Sequence, residues 1–293
     1  MKNLASLCYY LLIATTLTAQ TEIPLYPGAI PNNTVDSDRG QSVQRDPASG
    51  LAHFDTTHPS LSIYKPSAPN GKAIIVCPGG GYARTAFEKE GTRVAERFLR
   101  DSITVFVLKY RLPNPDFQRN PTIAPLQDAQ AAIKYVREQA ESYQLNTNQI
   151  GIMGFSAGGH LAATAATKFL PDRASRPDFA ILIYPVVSMA AELTHSGSRE
   201  RLIGKNPDEE QIRAWSADEQ VSPDTPPTFL VHAGDDKSVP VGNSLAYYQA
   251  CINNGVAVEM HLYPGGGHGF GLHNKTTQDD WTERLSNWLH YLN

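Results

Sequence analysis

The residues of this chain best suited to nucleophilic chemistry are a serine between glycines, a pair of aspartates and a histidine set among glycines. Residues 150–161 read IGIMGFSAGGHL. A short apolar run leads into Gly154-Phe155-Ser156-Ala157-Gly158, and an alanine-rich stretch follows. That pattern is strand, sharp turn, helix, with Ser156 at the apex. Glycines two residues before and two after let the backbone turn tightly and lift the hydroxyl above the sheet, as in a nucleophile elbow. An ordinary Gly/Ser turn is the bland alternative, so the partners of the serine decide. A hydroxyl at its own pKa is a poor nucleophile; it needs a base within hydrogen-bond reach and an acid to orient that base. The acid expected is Asp236, in GDDKSVP (234–240), just past the apolar run TFLVHA. Asp236 is preferred to Asp235, which reads as a turn residue bonding local backbone. The base expected is His268, in YPGGGHGFG (263–271), where five glycines leave the loop free to present the ring. The order Ser, Asp, His along the chain suits a serine on a strand–helix turn with its partners on later loops.

The tetrahedral intermediate formed by an attacking serine carries an oxyanion, which needs N–H donors fixed in advance. Ala157, directly after the nucleophile, is one. The loop PGGGY (78–82) after the apolar run AIIVC supplies the other, and by position Gly80 and Gly81 are expected to donate. Tyr82 is expected to wall the substrate pocket. A phosphate-cradling role for this loop is not favoured, since neither G-K-[ST] nor G-x-G-x-x-G is present. The other histidines, His160, His232 and His261 among them, read as packing residues. No H-x-x-x-H, H-E-x-x-H or Cys/His cluster appears, so neither a metal nor another cofactor is expected.

The elements that must hold these residues alternate regularly from residue 61 onward. Strands are expected at 61–64, 73–77, 103–108, 150–153, 179–187, 228–233 and 257–263. Helices are expected at 85–100, 124–143, 157–170, 241–253 and 278–292. Runs such as AIIVC and ITVFVL have the continuous apolarity of strands buried on both faces. Crossover helices make successive strands parallel, so the expected class is α/β, a doubly wound and mainly parallel sheet in one domain spanning 61–293. Residues 188–224 interrupt the alternation with a polar stretch, helical in patches. An insertion of this length is more often functional than idle, and it is expected to be a small cap over the site. Residues 21–60, rich in Pro, Gly, Asn, Asp and Ser, are expected to be irregular with at most one edge strand.

The length of 293 residues and a 41% hydrophobic content suffice for a full core. The net charge, 25 − 29 = −4, and the lack of any Lys/Arg run exclude a nucleic-acid partner. At the N-terminus, Lys2 precedes an uncharged run from Leu4 to Leu17 that ends in small residues near Ala19. It is too short and too diluted by Ser and Thr for a span of about 20 apolar residues. Residues 1–20 are therefore expected to be a signal peptide, with export or secretion and no stable membrane insertion after cleavage. Beyond it Cys77 and Cys251 remain, too few for a disulfide framework and expected to be buried free thiols.

Several longer stretches carry a resemblance. PGGGY, EKEGTRVAERFL, LKYRLP, GFSAGGHLA, SRERLIG, SPDTPPTFLVHAGDDKSVPV and GGGHGFG together resemble α/β-hydrolase esterases of the hormone-sensitive-lipase-like type. The likeness is closer to secreted bacterial carbohydrate esterases described as acetylxylan esterases or feruloyl-esterase-like hydrolases. The HGGG loop of the former departs here to Pro78-Gly79-Gly80-Gly81. The resemblance covers the chain from about residue 61 onward. It implies an α/β-hydrolase fold, Ser156, Asp236 and His268 as triad, Gly80, Gly81 and Ala157 as oxyanion donors, and a short acyl ester of a carbohydrate or other small ester as substrate. Two alternatives stand beside it: a serine peptidase of the prolyl-oligopeptidase type, and a non-catalytic carbohydrate-binding protein on a hydrolase frame.

Overall fold

The computed structural model describes residues 21–34, 41–169 and 173–292. The expected signal peptide, 1–20, lies outside them. The strands, in chain order, are β1 (Thr21–Pro24), β2 (Ser42–Asp46), β3 (Gly50–Phe54), β4 (Ser60–Tyr64), β5 (Ala73–Cys77), β6 (Arg84–Thr85), β7 (Thr104–Lys109), β8 (Ile150–Phe155), β9 (Phe179–Ile183), β10 (Thr228–Ala233) and β11 (Val258–Tyr263). Eight of them form one sheet in the order β1-β4-β7-β5-β8-β9-β10-β11. From β7 to β11 every pairing is parallel, whereas β1 and β4 run antiparallel at one edge. The sheet is therefore mainly parallel, as its apolar central strands require. Strands β5, β8, β9 and β10 are buried along their whole length.

The helices are α1 (Arg93–Leu99), α2 (Ala124–Glu138), α3 (Ala140–Tyr143), α4 (Ala157–Thr167), α5 (Ser196–Ile203), α6 (Glu209–Trp215), α7 (Gly242–Asn253) and α8 (Trp281–Tyr291). Two cores flank the sheet. One packs Ala129 and Ile133 of α2, Leu161 of α4 and Tyr247 of α7 against Ile75, Phe106 and Ile152. The other packs Val94 and Phe98 of α1 and Leu285 and Leu289 of α8 against Ile74, Val105 and Ile181. Helices on both faces are what crossover connections between parallel strands produce. Cys77 and Cys251 are free and buried.

Three local expectations are corrected. Residues 21–60 are more regular than their composition suggests. They contain β1, the antiparallel pair β2 and β3, and the start of β4; β3 also pairs with β6 in a separate three-stranded sheet. The β2–β3 turn is closed by Asp46, whose carboxylate accepts from the Ala48 and Ser49 N–H groups at 2.9 Å. The helix expected at 85–100 begins with a wide π turn at Glu88–Thr92 and continues as α1, because Thr85 is drawn into β6. Strand β9 ends at Ile183, short of the expected 187, because Tyr184 turns to φ 38° ahead of Pro185.

A buried ion pair ties the early residues to the sheet. Arg111, beyond β7, and Asp128 of α2 have fully buried side chains and meet at 2.7 Å. Asp128 also accepts from the Tyr26 hydroxyl at 2.9 Å, while Arg111 donates to the Pro31 carbonyl and to Asn33. Asp128→Asn leaves the guanidinium in the core without its charge partner. It should cost about 3–5 kcal/mol, read as a shift of the urea midpoint; a shift under 1 kcal/mol would contradict this role.

Candidate active site

Strand β8 delivers Ser156 to the turn before α4. Its backbone sits at φ 54°, ψ −119°, a strained conformation for a residue with a side chain. The turn is held from two sides: the Ser156 N–H donates to the Ile183 carbonyl, and the Ser156 carbonyl accepts from the Val186 N–H. Close packing dictates the glycine that follows, since a Cβ on Gly158 would lie 2.1 Å from the Cys77 carbonyl oxygen. The elbow thus presses directly on the end of β5 and on the loop beyond it.

His268 comes from the loop after β11, and Asp236 from the loop after β10. Ser156 Oγ lies 2.8 Å from His268 Nε2. On the other side of the ring, His268 Nδ1 lies 2.7 Å from Asp236 Oδ2. An ionised carboxylate can only accept, so Nδ1 carries the proton and Nε2 is left to accept from the serine hydroxyl. The Asp236 side chain is fully buried, whereas that of His268 is 23% exposed. Burial works against the Asp236 charge. Hydrogen bonds from His232 and His268 and from the Val239 N–H outweigh it and hold the carboxyl well below the usual carboxylate range. Asp235 is exposed, and its carboxylate accepts instead from the Gly267 N–H at 2.7 Å, bracing the histidine loop.

His232, read from sequence as a packing residue, belongs to this arrangement. Its Nε2 lies 3.0 Å from the Val239 carbonyl and 3.3 Å from Asp236 Oδ2, and its Nδ1 is 2.7 Å from Ser244 Oγ. The ring therefore grips the acid from below. The sequence signal was its spacing, four residues ahead of Asp236 at the end of β10.

The glycine loop after β5 lies against the elbow. A Cβ on Gly79 would fall 3.0 Å from Ser156 Cβ. Gly80 adopts φ 132° and Gly81 φ 65°, and a side chain on Gly80 would collide with the Arg84 carbonyl. Ala157 opens α4, where N–H groups lack intrahelical acceptors and the helix dipole favours negative charge. The donors expected from sequence therefore stand on the two segments that meet beside Ser156. A carboxylate orients the loop from behind: Glu90, 5% exposed, accepts from the Gly79 N–H and from the Tyr184 hydroxyl, each at 2.8 Å. The Tyr184 hydroxyl in turn accepts from the Gly271 N–H at 3.0 Å, and its ring packs edge-on to His268. Glu90 so links the glycine loop to the histidine loop, which no local pattern in the sequence announced.

Tyr82 is not the pocket wall expected of it. At φ 57° it turns into the core, where it is 2% exposed, and its hydroxyl lies 2.9 Å from His160 Nδ1. His160 Nε2 reaches the Trp215 carbonyl at the end of α6, at 2.7 Å. A carbonyl can only accept, so the ring proton is on Nε2 and Nδ1 accepts from Tyr82. One histidine thus joins the helix behind the nucleophile, the glycine loop and the insertion. Burial, despite the Trp215 hydrogen bond, lowers its pKa to about 4.

That shift has a sign. The unfolded ring takes up a proton near pH 6.5 and the folded one only near 4, so its contribution is present above 6.5 and is lost as pH falls. About 3 kcal/mol should disappear between pH 6.5 and 4. His160→Gln should flatten the pH dependence of the melting temperature in that window, and an unchanged slope would refute the assignment.

The insertion, 188–224, reaches the site through α5. Arg201 Nη1 lies 3.3 Å from the Gly81 carbonyl. Among the described residues, no group of three His, Cys, Asp or Glu side chains could hold a metal ion, and no helix is long and apolar enough to cross a membrane.

Comparison with known proteins places this arrangement. Residues 116–292 match the sequence model described as the prolyl oligopeptidase family. An acetylxylan esterase of Xylanibacter ruminicola is 37% identical over 239 residues, 78% of this chain and 47% of that protein. Endo-1,4-beta-xylanase B of Butyrivibrio fibrisolvens is 31% identical over 71% of this chain and 34% of its own length. The chain thus spans less than half the length of these two relatives. Among solved structures, an acetyl ester-xyloside bifunctional hydrolase from Caldicellulosiruptor lactoaceticus superposes with a TM-score of 0.77 at 36% identity. That alignment covers 94% of this chain and 98% of the other. The family model covers more than half of the chain, and the solved structure is matched almost end to end. On both grounds the chain belongs to the prolyl oligopeptidase family and has the α/β-hydrolase fold.

Proposed function

We propose that the protein is a serine esterase that removes short acyl groups, acetyl above all, from xylan or xylo-oligosaccharides. The observation that carries the reading is the continuous chain of hydrogen bonds from Ser156 Oγ through His268 to the buried carboxylate of Asp236. His268 takes the hydroxyl proton as Ser156 attacks the ester carbonyl. The oxyanion then accepts from the N–H groups of Ala157, Gly80 and Gly81. Collapse of the intermediate passes the proton from His268 Nε2 to the departing alcohol and leaves an acyl-serine. A water deprotonated by the same nitrogen then releases the acid.

The names of the relatives support an ester of a xylan-type carbohydrate, and the α5–α6 insertion serves as the cap over it. The family's name does not make the protein a peptidase. The matched relatives carry the names of an acetylxylan esterase, a xylanase and an acetyl ester-xyloside hydrolase, and these support an esterase. Residues 1–20 act as a signal peptide, so the mature enzyme works outside the cytoplasm, on a substrate found there.

Acetate release tests the reading. Acetylated xylo-oligosaccharides should be turned over with a higher kcat/KM than feruloylated or long-chain esters, and peptides should not be cut. Peptide cleavage, or a preference for long acyl chains, would overturn it.

A further inference from the structure

His195 sits at the start of α5, and its hydrogen bonds fix its protonation. Nδ1 accepts from the Ser198 N–H at 3.2 Å and lies 2.8 Å from Ser198 Oγ. A backbone N–H can only donate, so Nδ1 is unprotonated and the neutral ring carries its proton on Nε2. Among the described residues, no hydrogen bond ends on that Nε2. The ring stands over the glycine loop. A Cβ on Gly81 would lie 3.6 Å from His195 Cε1 and 3.9 Å from Arg201 Nη1. Arg201 donates to the carbonyls of Gly81 and Gly197 and is otherwise exposed. Burial, and after it the nearness of His268 and Arg201, lowers the proton affinity of His195 and keeps the ring neutral.

We propose that His195 Nε2–H and the Arg201 guanidinium form a donor-only subsite that selects an oxygen-rich alcohol, the sugar from which the acyl group is removed. The inference rests on the esterase reading above and names the residues that give it its substrate. His195 is within electrostatic reach of His268, beside which the alcohol must leave, and its ring faces the open side of Gly81 in the loop expected to hold the oxyanion. A sugar offers hydroxyl and ring oxygens that accept hydrogen bonds there. Apart from the ester oxygen common to all these substrates, a simple aryl or alkyl alcohol has no hydroxyl or ring oxygen to offer, and the donors then stay with water. A site built to hydrogen-bond a substrate discriminates against analogues that lack the matching groups.

His195→Asn separates this role from capping. The Asn side chain can still accept from the Ser198 N–H at the helix start, but it is too short to carry a donor to the rim. The ratio of kcat/KM on acetylated xylo-oligosaccharide to kcat/KM on p-nitrophenyl acetate should fall about tenfold or more, mostly through KM. His195→Gln, which can still present an N–H, should recover part of the ratio. Arg201→Gln should lower it several-fold and gives an independent reading if the first variant does not fold. Equal losses on both substrates, or no change in the ratio, would overturn the subsite while leaving the esterase reading intact. A wild-type protein that hydrolyses p-nitrophenyl acetate but no acetylated sugar would remove the carbohydrate reading and the subsite with it.

Discussion

Ser156→Ala should lower kcat on p-nitrophenyl acetate by about 10⁵–10⁶, with KM changed only a few-fold. The substitution removes one oxygen that is 2.8 Å from His268 Nε2 and leaves the elbow, the glycine loop and the acid–base pair in place. What survives is the rate that prearranged oxyanion donors and substrate binding give to attack by water, about 10³-fold above the uncatalysed reaction. Ala can hold the backbone that Ser holds at φ 54°, with the same strain, so the melting temperature should shift by no more than a few degrees. Steady-state kinetics with a melt of the same preparation distinguish lost chemistry from lost fold. A variant retaining more than about a hundredth of the wild-type rate would mean that another group attacks the ester.

The second large effect is expected at Asp236. Asp236→Asn should lower kcat by about 10⁴ while preserving shape. Its cause is tautomeric. The carboxylate accepts from His268 Nδ1 and so keeps Nε2 unprotonated and facing the serine. An amide nitrogen turned toward Nδ1 would donate to it, move the ring proton to Nε2 and leave the hydroxyl without a base. The change also disturbs His232, whose Nε2 lies 3.3 Å from the same oxygen. Asp235→Asn is the control. Its exposed side chain meets the machinery through the Gly267 N–H, so the loss should stay within about tenfold. Comparable losses at both positions would place the orienting acid wrongly.

Much of this geometry was legible in the chain because the chemistry is written in local patterns. Strands such as AIIVC announce themselves by continuous apolarity; the glycine loop, Ser156 and Asp236 each follow a fully buried strand, while His268 follows the more polar edge strand β11. The order serine, aspartate, histidine then fixes which loops meet once the strands lie parallel. What was not legible depends on contacts far apart in sequence. Tyr82 reads as a pocket aromatic until its positive φ and its bond to His160, 78 residues on, turn it inward. Glu90 looks like one charge in a helical run, and only the π turn brings it under Gly79 and Tyr184. The β2–β3 hairpin was hidden because its strands, SVQRD and GLAHF, are largely solvent-facing and lack a buried apolar run. Its one local signal was the Asp46-to-Gly50 turn. His195 was hidden by the insertion, whose sequence gives no hint that its first helix starts over Gly81.

A nucleophilic Ser156 should carry the covalent mark of a reagent that reacts only with activated serines. The protein is treated with a fluorophosphonate, digested, and the modified peptide mapped by mass spectrometry. The arrangement predicts a single phosphonyl adduct on Ser156, formed in step with loss of esterase activity and slowed strongly by Asp236→Asn. An adduct on any other residue, or full loss of activity with Ser156 unmodified, would contradict it.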